Sequence, residues 1–379
     1  VLLAGNFVIG CGVMVAAGAL NDLTRDLRIS VALGGQLVAL SAVVMAIGAP
    51  LLAAFVGGVD RRRLLTVALV WYAAGHALAA LMPDYATLLP VRAMTVLSAA
   101  AFTPQAAAAL GAMTPPADRG RAITFIFLGW SLASVAGLPL TSWIAETAGW
   151  RWAFALVAAM SAPVAWAVWR AMPAGVRPPR LSLAHWTSVF GNPVLMAIVA
   201  VTALSAAGQF TLFSYFAPYA RQVLDAGPGQ MSALFGVFGL FGLLGNLLLT
   251  RHVDRLGPAR CVALGLSSMA FALAVWPWAG SVAVAALVLV PWAMGTFSSN
   301  SAQQARLGAA APALAPALLA LNTSAIYAGQ ALGAAGGGAL FAASGWRWLS
   351  TAALLWMLAA LAVSLWAAQR MRRAARAAP

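Results

Sequence analysis

Arg92 is the one charge in this 379-residue sequence that falls inside an apolar run long enough to cross a membrane. An arginine at mid-membrane costs at least about 2.5–3.5 kcal/mol on insertion scales, so it is expected to face other helices and to have partners there. Two readings are open. It has a functional role, the default for a charge inside a membrane span, or it lies near a span end and snorkels or pairs with Asp84 or Asp22. Proton carriage calls for a buried carboxylate of raised pKa. All eight acids (Asp22, Asp26, Asp60, Asp84, Asp118, Glu146, Asp225 and Asp254) fall in loops or at span ends. Asp22 and Asp26, beyond the first span, are the nearest candidates. His76 could titrate near neutral pH, but a lone histidine in such a run is more often a hydrogen-bonded core residue.

A second constellation is duplicated. Gly57-Gly58-Val59-Asp60-Arg61-Arg62-Arg63 has an echo at Arg251-His252-Val253-Asp254-Arg255-Leu256-Gly257, with the two aspartates 194 positions apart. Gly149-Trp150-Arg151-Trp152 recurs as Gly345-Trp346-Arg347-Trp348, 196 positions on. Two independent tags at one offset, close to half the chain, imply two copies of one unit. Each aspartate and its arginines would sit at a helix–loop–helix corner as a charge pair with helix-end dipoles. The plainer reading is a set of arginines anchoring one side of a membrane.

The elements that must position these residues are membrane helices. Hydrophobic residues make up 63% of the chain and charged ones 8%, too little polar surface for a soluble protein of this length. Twelve spans are read, at roughly 2–20, 31–56, 64–82, 88–113, 122–145, 152–171, 194–219, 231–250, 261–280, 282–305, 316–342 and 347–369. Alternating the loops puts sixteen arginines on one side and only Arg25, Arg28, Arg151, Arg221 and Arg347 on the other, which orients both termini to the cytoplasm. The formal charge of +14 then reports topology and attraction to membrane lipids, and no nucleic acid partner is expected. Cys11 and Cys261 lie within apolar runs and the histidines do not cluster, so neither a disulfide, a metal nor a cofactor is expected. No nucleophile elbow, phosphate loop or zinc motif points to an enzyme. The first span starts almost at residue 1, as if a cytoplasmic leader had been trimmed. Read as a signal peptide instead, it would leave the seventh span without its counterpart in the repeat.

The long polar connection from Pro173 to Asn192 divides the chain into two six-helix bundles, residues 1–172 and 193–379, with a cytoplasmic linker over 173–192. Within it, 181–190 is either a short amphipathic helix at the membrane surface, with Trp186 at the interface, or a plain tether.

In this order and on twelve spans, four features carry a resemblance. They are the Asp60 loop, the run Leu89-Pro90-Val91-Arg92, the run Gly137-Leu138-Pro139-Leu140 followed by Gly149-Trp150-Arg151, and Pro115-Pro116-Ala117-Asp118-Arg119. The chain resembles the major facilitator superfamily, and within it the bacterial drug:proton antiporters of the arabinose-efflux-permease-like group. Val56 stands where that family's loop has its leading glycine, and Arg63 where a later glycine is usual. The resemblance implies an all-α polytopic fold of twelve helices in two pseudo-symmetric bundles, working by alternating access. It assigns Asp60, Arg61 and Arg63, with Asp118 and Arg119 as partners, to a latch between the halves that must break when the inner gate opens. Asp254 and Arg255 repeat that role in the second half, with Arg306 as a match, and Arg92 is assigned to proton coupling. It also implies a central cavity, whose candidate substrate contacts here are Asn6, Gln36, Gln105, Trp130, Gln209, Phe213, Tyr215, Trp292, Asn300, Gln303, Asn322 and Tyr327. Amides are costly in hydrocarbon unless paired or wet, and about half of this set is expected to form interhelical hydrogen bonds instead.

Glycines mark close helix approach, chiefly Gly242 on the eighth span and Gly333 on the eleventh. Gly137 and Pro139 are expected to kink the fifth, because proline removes a backbone bond. In the resembled antiporters this run is characteristic. The expected protein is therefore an inner-membrane monomer that exports a small organic compound against inward protons. The alternative is proton-independent uptake or exchange of a neutral or anionic metabolite.

Overall fold

The computed structural model describes residues 1–56, 58–115, 119–177, 183–311 and 314–377. Among these every regular element is helical. Ten helices are long and apolar enough to cross a membrane, and the pair Leu2–Gly18 and Leu20–Asp26, bent by 55°, forms an eleventh crossing. The 30-residue helix Ala315–Ser344 completes twelve. In chain order, span 1 is that bent pair, span 2 is Val31–Phe55, span 3 Arg61–Ala80 and span 4 Tyr85–Met113. Span 5 runs from Arg119 to Ala148 and span 6 is Trp150–Ala171. Span 7 is Pro193–Phe213 continued by Phe216–Gln222, span 8 Pro228–Leu256 and span 9 Pro258–Val275. Spans 10, 11 and 12 are Val282–Ala310, Ala315–Ser344 and Leu349–Ala377.

Local chemistry sets the ends. Ser30, Asp60, Asp84, Asn192 and Ser281 each cap a helix start by accepting from an amide two or three residues on. Gly149 and Gly345, the first residues of the duplicated tag, both end a helix at positive φ (107° and 62°), which a glycine adopts without a side-chain clash. The repeated tag is thus a repeated helix stop. In span 5 the helix takes a π turn over Ala133–Gly137 immediately before Pro139, which therefore sits in the first turn of the next α-helical piece. The missing proline N–H is absorbed there rather than by a plain break.

Contacts divide the chain into two compact units, Val1–Arg180 with Tyr215–Gly239, and Leu181–Ser214 with Leu240–Pro379. In the first, span 1 packs on spans 5 and 6, span 3 on spans 4 and 6, and span 2 on span 4. The second repeats the scheme: span 7 on spans 11 and 12, and span 9 on spans 10 and 12. The start of the polar connection binds the first unit, where Arg61 N–H donates to the Val176 carbonyl (3.0 Å). Its later part is a short helix, Leu183–Phe190, in which Trp186 stacks on Phe190 and Val189 packs with Leu195 and Ile198 of the second unit.

Candidate transport site

Arg92 is fully buried in span 4, and three groups hold it. Its Nη2 donates to the carbonyls of Gly12 (2.6 Å) and Val13 (3.2 Å) on span 1. Its Nη1 lies 3.0 Å from Nε2 of His76 on span 3. A guanidinium only donates, so His76 Nε2 is the acceptor. The ring proton then sits on Nδ1, which donates to the Tyr72 carbonyl (2.9 Å). Tyr72 in turn donates its hydroxyl to the Ile9 carbonyl (2.8 Å), and the Phe154 ring lies 5.6 Å from the guanidinium carbon. Gly12 makes this possible. A Cβ there would collide with the Tyr72 hydroxyl and lie 2.7 Å from His76 Nε2. Mid-helix carbonyls carry a second lone pair beyond their helical bond, and the bare glycine lets Arg92 reach it. The result is a positive charge held by span 1 backbone and a neutral imidazole, with no acid beside it among the described residues.

The acids near span ends are committed elsewhere. Asp22 accepts from the Trp150 amide (2.7 Å) and pairs with Arg25. Asp26 accepts from the Trp150 indole (3.0 Å) and pairs with Arg151, which also donates to the Met82 carbonyl (3.1 Å). Asp84 caps span 4 through Thr87 and is held below the usual aspartate range by the Thr87 amide and hydroxyl. Neither Asp22 nor Asp84 pairs with Arg92, and Asp22 and Asp26 fasten span 1 to the start of span 6.

Asp60 caps span 3 at the Arg63 amide (3.3 Å) and also accepts from the Gly175 amide. Burial works against its charge, but the amides of Gly175, Arg63 and Arg62 and the guanidinium of Arg177 outweigh it, so its carboxyl lies below the usual range. Arg61 is buried and turns back onto the carbonyls of Val56 and Val59, both at 2.8 Å. Arg63 is exposed. Asp118 lies outside the described residues, as do the side chains of Arg119 and Asp254. Arg255 is exposed in the last turn of span 8. Arg306 is buried and binds the Ser364 hydroxyl (2.9 Å) and carbonyl (3.0 Å) on span 12.

Two cavity candidates, Asn6 and Trp130, meet in the first unit through Thr103. Asn6 donates to the Ile126 carbonyl (3.0 Å) and accepts from the Thr103 hydroxyl (2.8 Å), to which the Trp130 indole also points at 3.4 Å. Gln105 is buried nearby in sequence on span 4, and Gln36 is half-buried on span 2. Tyr215 is buried, its hydroxyl lying where a Cβ on Gly35 would be. In the second unit Phe213, Trp292 and Trp276 form an edge-to-face chain with centroids 6.2 and 5.6 Å apart. Asn322 accepts from Thr202 (2.5 Å), tying span 11 to span 7, and Gln303 donates to the Ile198 carbonyl, tying span 10 to span 7. The amide oxygens of Gln303 and of half-buried Asn300 are enclosed without a hydrogen-bond partner among the described residues. Gln209 is half-buried and Tyr327 buried.

The packing glycines differ among themselves. Gly137 faces the Cys11 sulfur, Gly242 the Phe297 ring, and Gly333 the span 7 backbone at Ala207 and Thr211. Gly236 and Gly336 meet nothing closer than 4.0 Å.

Twelve spans in two like-paired units, the first holding a buried arginine, have the architecture of a multi-pass membrane transporter rather than an enzyme. A family model of the Major Facilitator Superfamily matches residues 2–317, and the chain belongs to that superfamily. The inner membrane transport protein YdhP of Escherichia coli K12 is 28% identical over 342 residues, 90% of this chain and 88% of that one. A chloramphenicol efflux pump of Mycobacterium tuberculosis is 30% identical over 271 residues, 71% of this chain and 65% of that one. Among solved structures, a D-xylose–proton symporter superposes with a TM-score of 0.77 at 17% identity, covering 96% of this chain and 95% of its own. The human organic anion transporter MFSD10 does so with a TM-score of 0.72 at 15% identity, covering 96% and 97%. These last two likenesses are of fold alone.

Proposed function

We propose that this transporter exports a small, uncharged or weakly amphipathic organic compound across a bacterial inner membrane, driven by inward proton movement, as a monomer with both termini in the cytoplasm. The observation that carries the reading is the Arg92 cluster. Its charge is stabilised by carbonyls on span 1, so any displacement of span 1 changes the free energy of that charge and couples it to the transport cycle. The efflux relatives favour the outward direction and make a phenicol-type neutral compound the first substrate to try. The test is an accumulation panel of phenicols, other drugs, sugars, amino acids and nucleosides in an export-deficient bacterium. Lower accumulation of one class with the wild type, collapsing when the proton gradient is dissipated, supports the reading. Accumulation unchanged across the panel, with protein present in the membrane, sinks it.

That no acid lies beside Arg92 among the described residues favours a second reading, proton-independent uptake or exchange. The two separate in proteoliposomes: a proton antiporter acidifies or alkalinises the lumen when substrate is added, and an exchanger does not.

The Asp60 corner serves as the gate latch in this reading. Asp60→Asn is expected to slow turnover severalfold and leave substrate affinity unchanged. The pH dependence has a definite sign. A carboxyl held below its unfolded value contributes stability that is complete at neutral pH and is lost as pH falls from the ordinary aspartate range through the lower folded value. Thermal unfolding followed down to that pH should show the corner loosening in the wild type and no such step in Asp60→Asn. A pure affinity loss in the variant would count against the latch.

A further inference from the structure

Spans 3 and 6 leave a groove of about 310 Å³ on the first unit, floored by alanines and walled by Val70, Trp166 and Trp169, whose side chains are exposed. At one end stand two arginines held by aromatic faces. Arg62 lies 4.3 Å over the Trp169 ring, and Arg170 lies 5.9 Å over Trp166. Neither pairs with an acid among the described residues, where the ion pairs are Asp22–Arg25 and Asp26–Arg151. Two enclosed polar atoms have no hydrogen-bond partner there: Nε of Arg62 and, one turn farther along the groove, Oγ1 of Thr66.

We propose that this groove binds an anionic phospholipid, with the phosphate on Arg62 and Arg170 and one acyl chain along the apolar floor. The dimensions fit. From Arg62 to Ala73 the helix rises about 16 Å, roughly one leaflet of a hydrocarbon core of about 30 Å. Thr66 lies about 6 Å below the arginines, at the depth of the glycerol esters. The indoles sit at the level where tryptophan is enriched, between headgroups and chains. Charge selects the headgroup. Two unpaired guanidiniums favour a net-negative phospholipid over a zwitterionic one, by about fivefold for each arginine near the surface. The groove's walls are exposed, and the inference is independent of the substrate and the direction of transport.

The test is lipid retention by native mass spectrometry. The intact transporter is purified from nanodiscs holding equal phosphatidylglycerol and phosphatidylethanolamine. The wild type is expected to keep phosphatidylglycerol at least tenfold in preference. Arg62→Gln combined with Arg170→Gln should abolish that preference. Ala162→Trp, which fills the groove from an exposed position and leaves both arginines in place, should lower phosphatidylglycerol retention about as far. Circular dichroism and the gel-filtration profile identify a misfolded variant, and Ala162→Trp, which removes no polar contact, then decides alone. Equal retention of the two lipids by the wild type overturns the proposal. So does undiminished phosphatidylglycerol on the Ala162→Trp protein.

Discussion

Arg92→Ala is expected to abolish transport while folded protein still accumulates in the membrane. The two halves of that result have separate causes. The partners Arg92 leaves behind are neutral: the Gly12 and Val13 carbonyls, which keep their helical bonds, and the His76 ring. No uncompensated charge stays buried, which is the usual reason that breaking a buried ionic contact unfolds a protein. The structural cost is an unpartnered His76 Nε2 and a void, about 1–3 kcal/mol for the orphaned acceptor, partly offset because a costly desolvated charge is gone. Transport loses the charge itself. At about 2.7 kcal/mol, the size of one charge-assisted hydrogen bond, that is about a 100-fold fall, and the loss of the coupling charge should make it larger. Arg92→Lys should fail nearly as badly, because a point ammonium on one stem does not reach both span 1 and His76 in a fork. Initial rates in proteoliposomes, set beside the gel-filtration profile of the same preparation, check both halves. Transport at the wild-type rate in Arg92→Ala would remove Arg92 from the mechanism.

The second large effect is on stability. Gly333→Val should lower the unfolding midpoint by roughly 5–10 °C, whereas Gly336→Ala, one turn away on the same helix, should leave it within a few degrees or raise it slightly. The difference is geometric. A Cβ on Gly333 would run into the Ala207 carbonyl and lie 2.9 Å from the Thr211 nitrogen, and Gly329 meets Ala203 on span 7 in the same way. Those are backbone atoms with no rotamer to yield. The cost should therefore sit at or above the upper end of ordinary overpacking, about 3 kcal/mol. A Cβ on Gly336 meets nothing within 4 Å. There the substitution only adds helix propensity, about 1 kcal/mol in favour of alanine. Fluorescence-detected thermal gel filtration separates the two. Equal midpoints would mean that span 11 is not seated on span 7 as described.

The pattern of these glycines shows what could and could not be seen in the chain. Glycine on span 11 announced close packing at Gly333, yet nothing local in the chain says that Gly336, one turn on, meets nothing within 4 Å. The twelve spans and the duplicated tag were legible, because apolar length and internal repetition are written directly in the chain; that the tag stops a helix each time came only from the glycine's positive φ. The partners of Arg92 were not legible. His76 lies 16 residues away on the antiparallel neighbour, and which positions of two such helices come level depends on the turn between them and the packing, not on any local signal. Asp22 and Asp26, the acids nearest the first span, are held by the duplicated Gly-Trp-Arg tag more than 120 residues later, a pairing that no local signal announces. Pro139 was expected as a kink, and the π turn before it takes up the missing bond.

The first compact unit is not a continuous piece of chain. It takes in Tyr215–Gly239, whose carbonyl at Ala217 accepts from Asn21 (3.1 Å), whose Ser232 donates to the Pro139 carbonyl (3.1 Å), and whose Gly239 lies against Ser134 and Val135. Ribosomes deliver the chain from its N-terminus, so the first six spans enter the bilayer with part of their own surface still unsynthesised. The bundle must wait through the polar connection and span 7 before it is complete. A split gene broken at the connection would leave its first fragment in that unfinished state, exposed to membrane proteases.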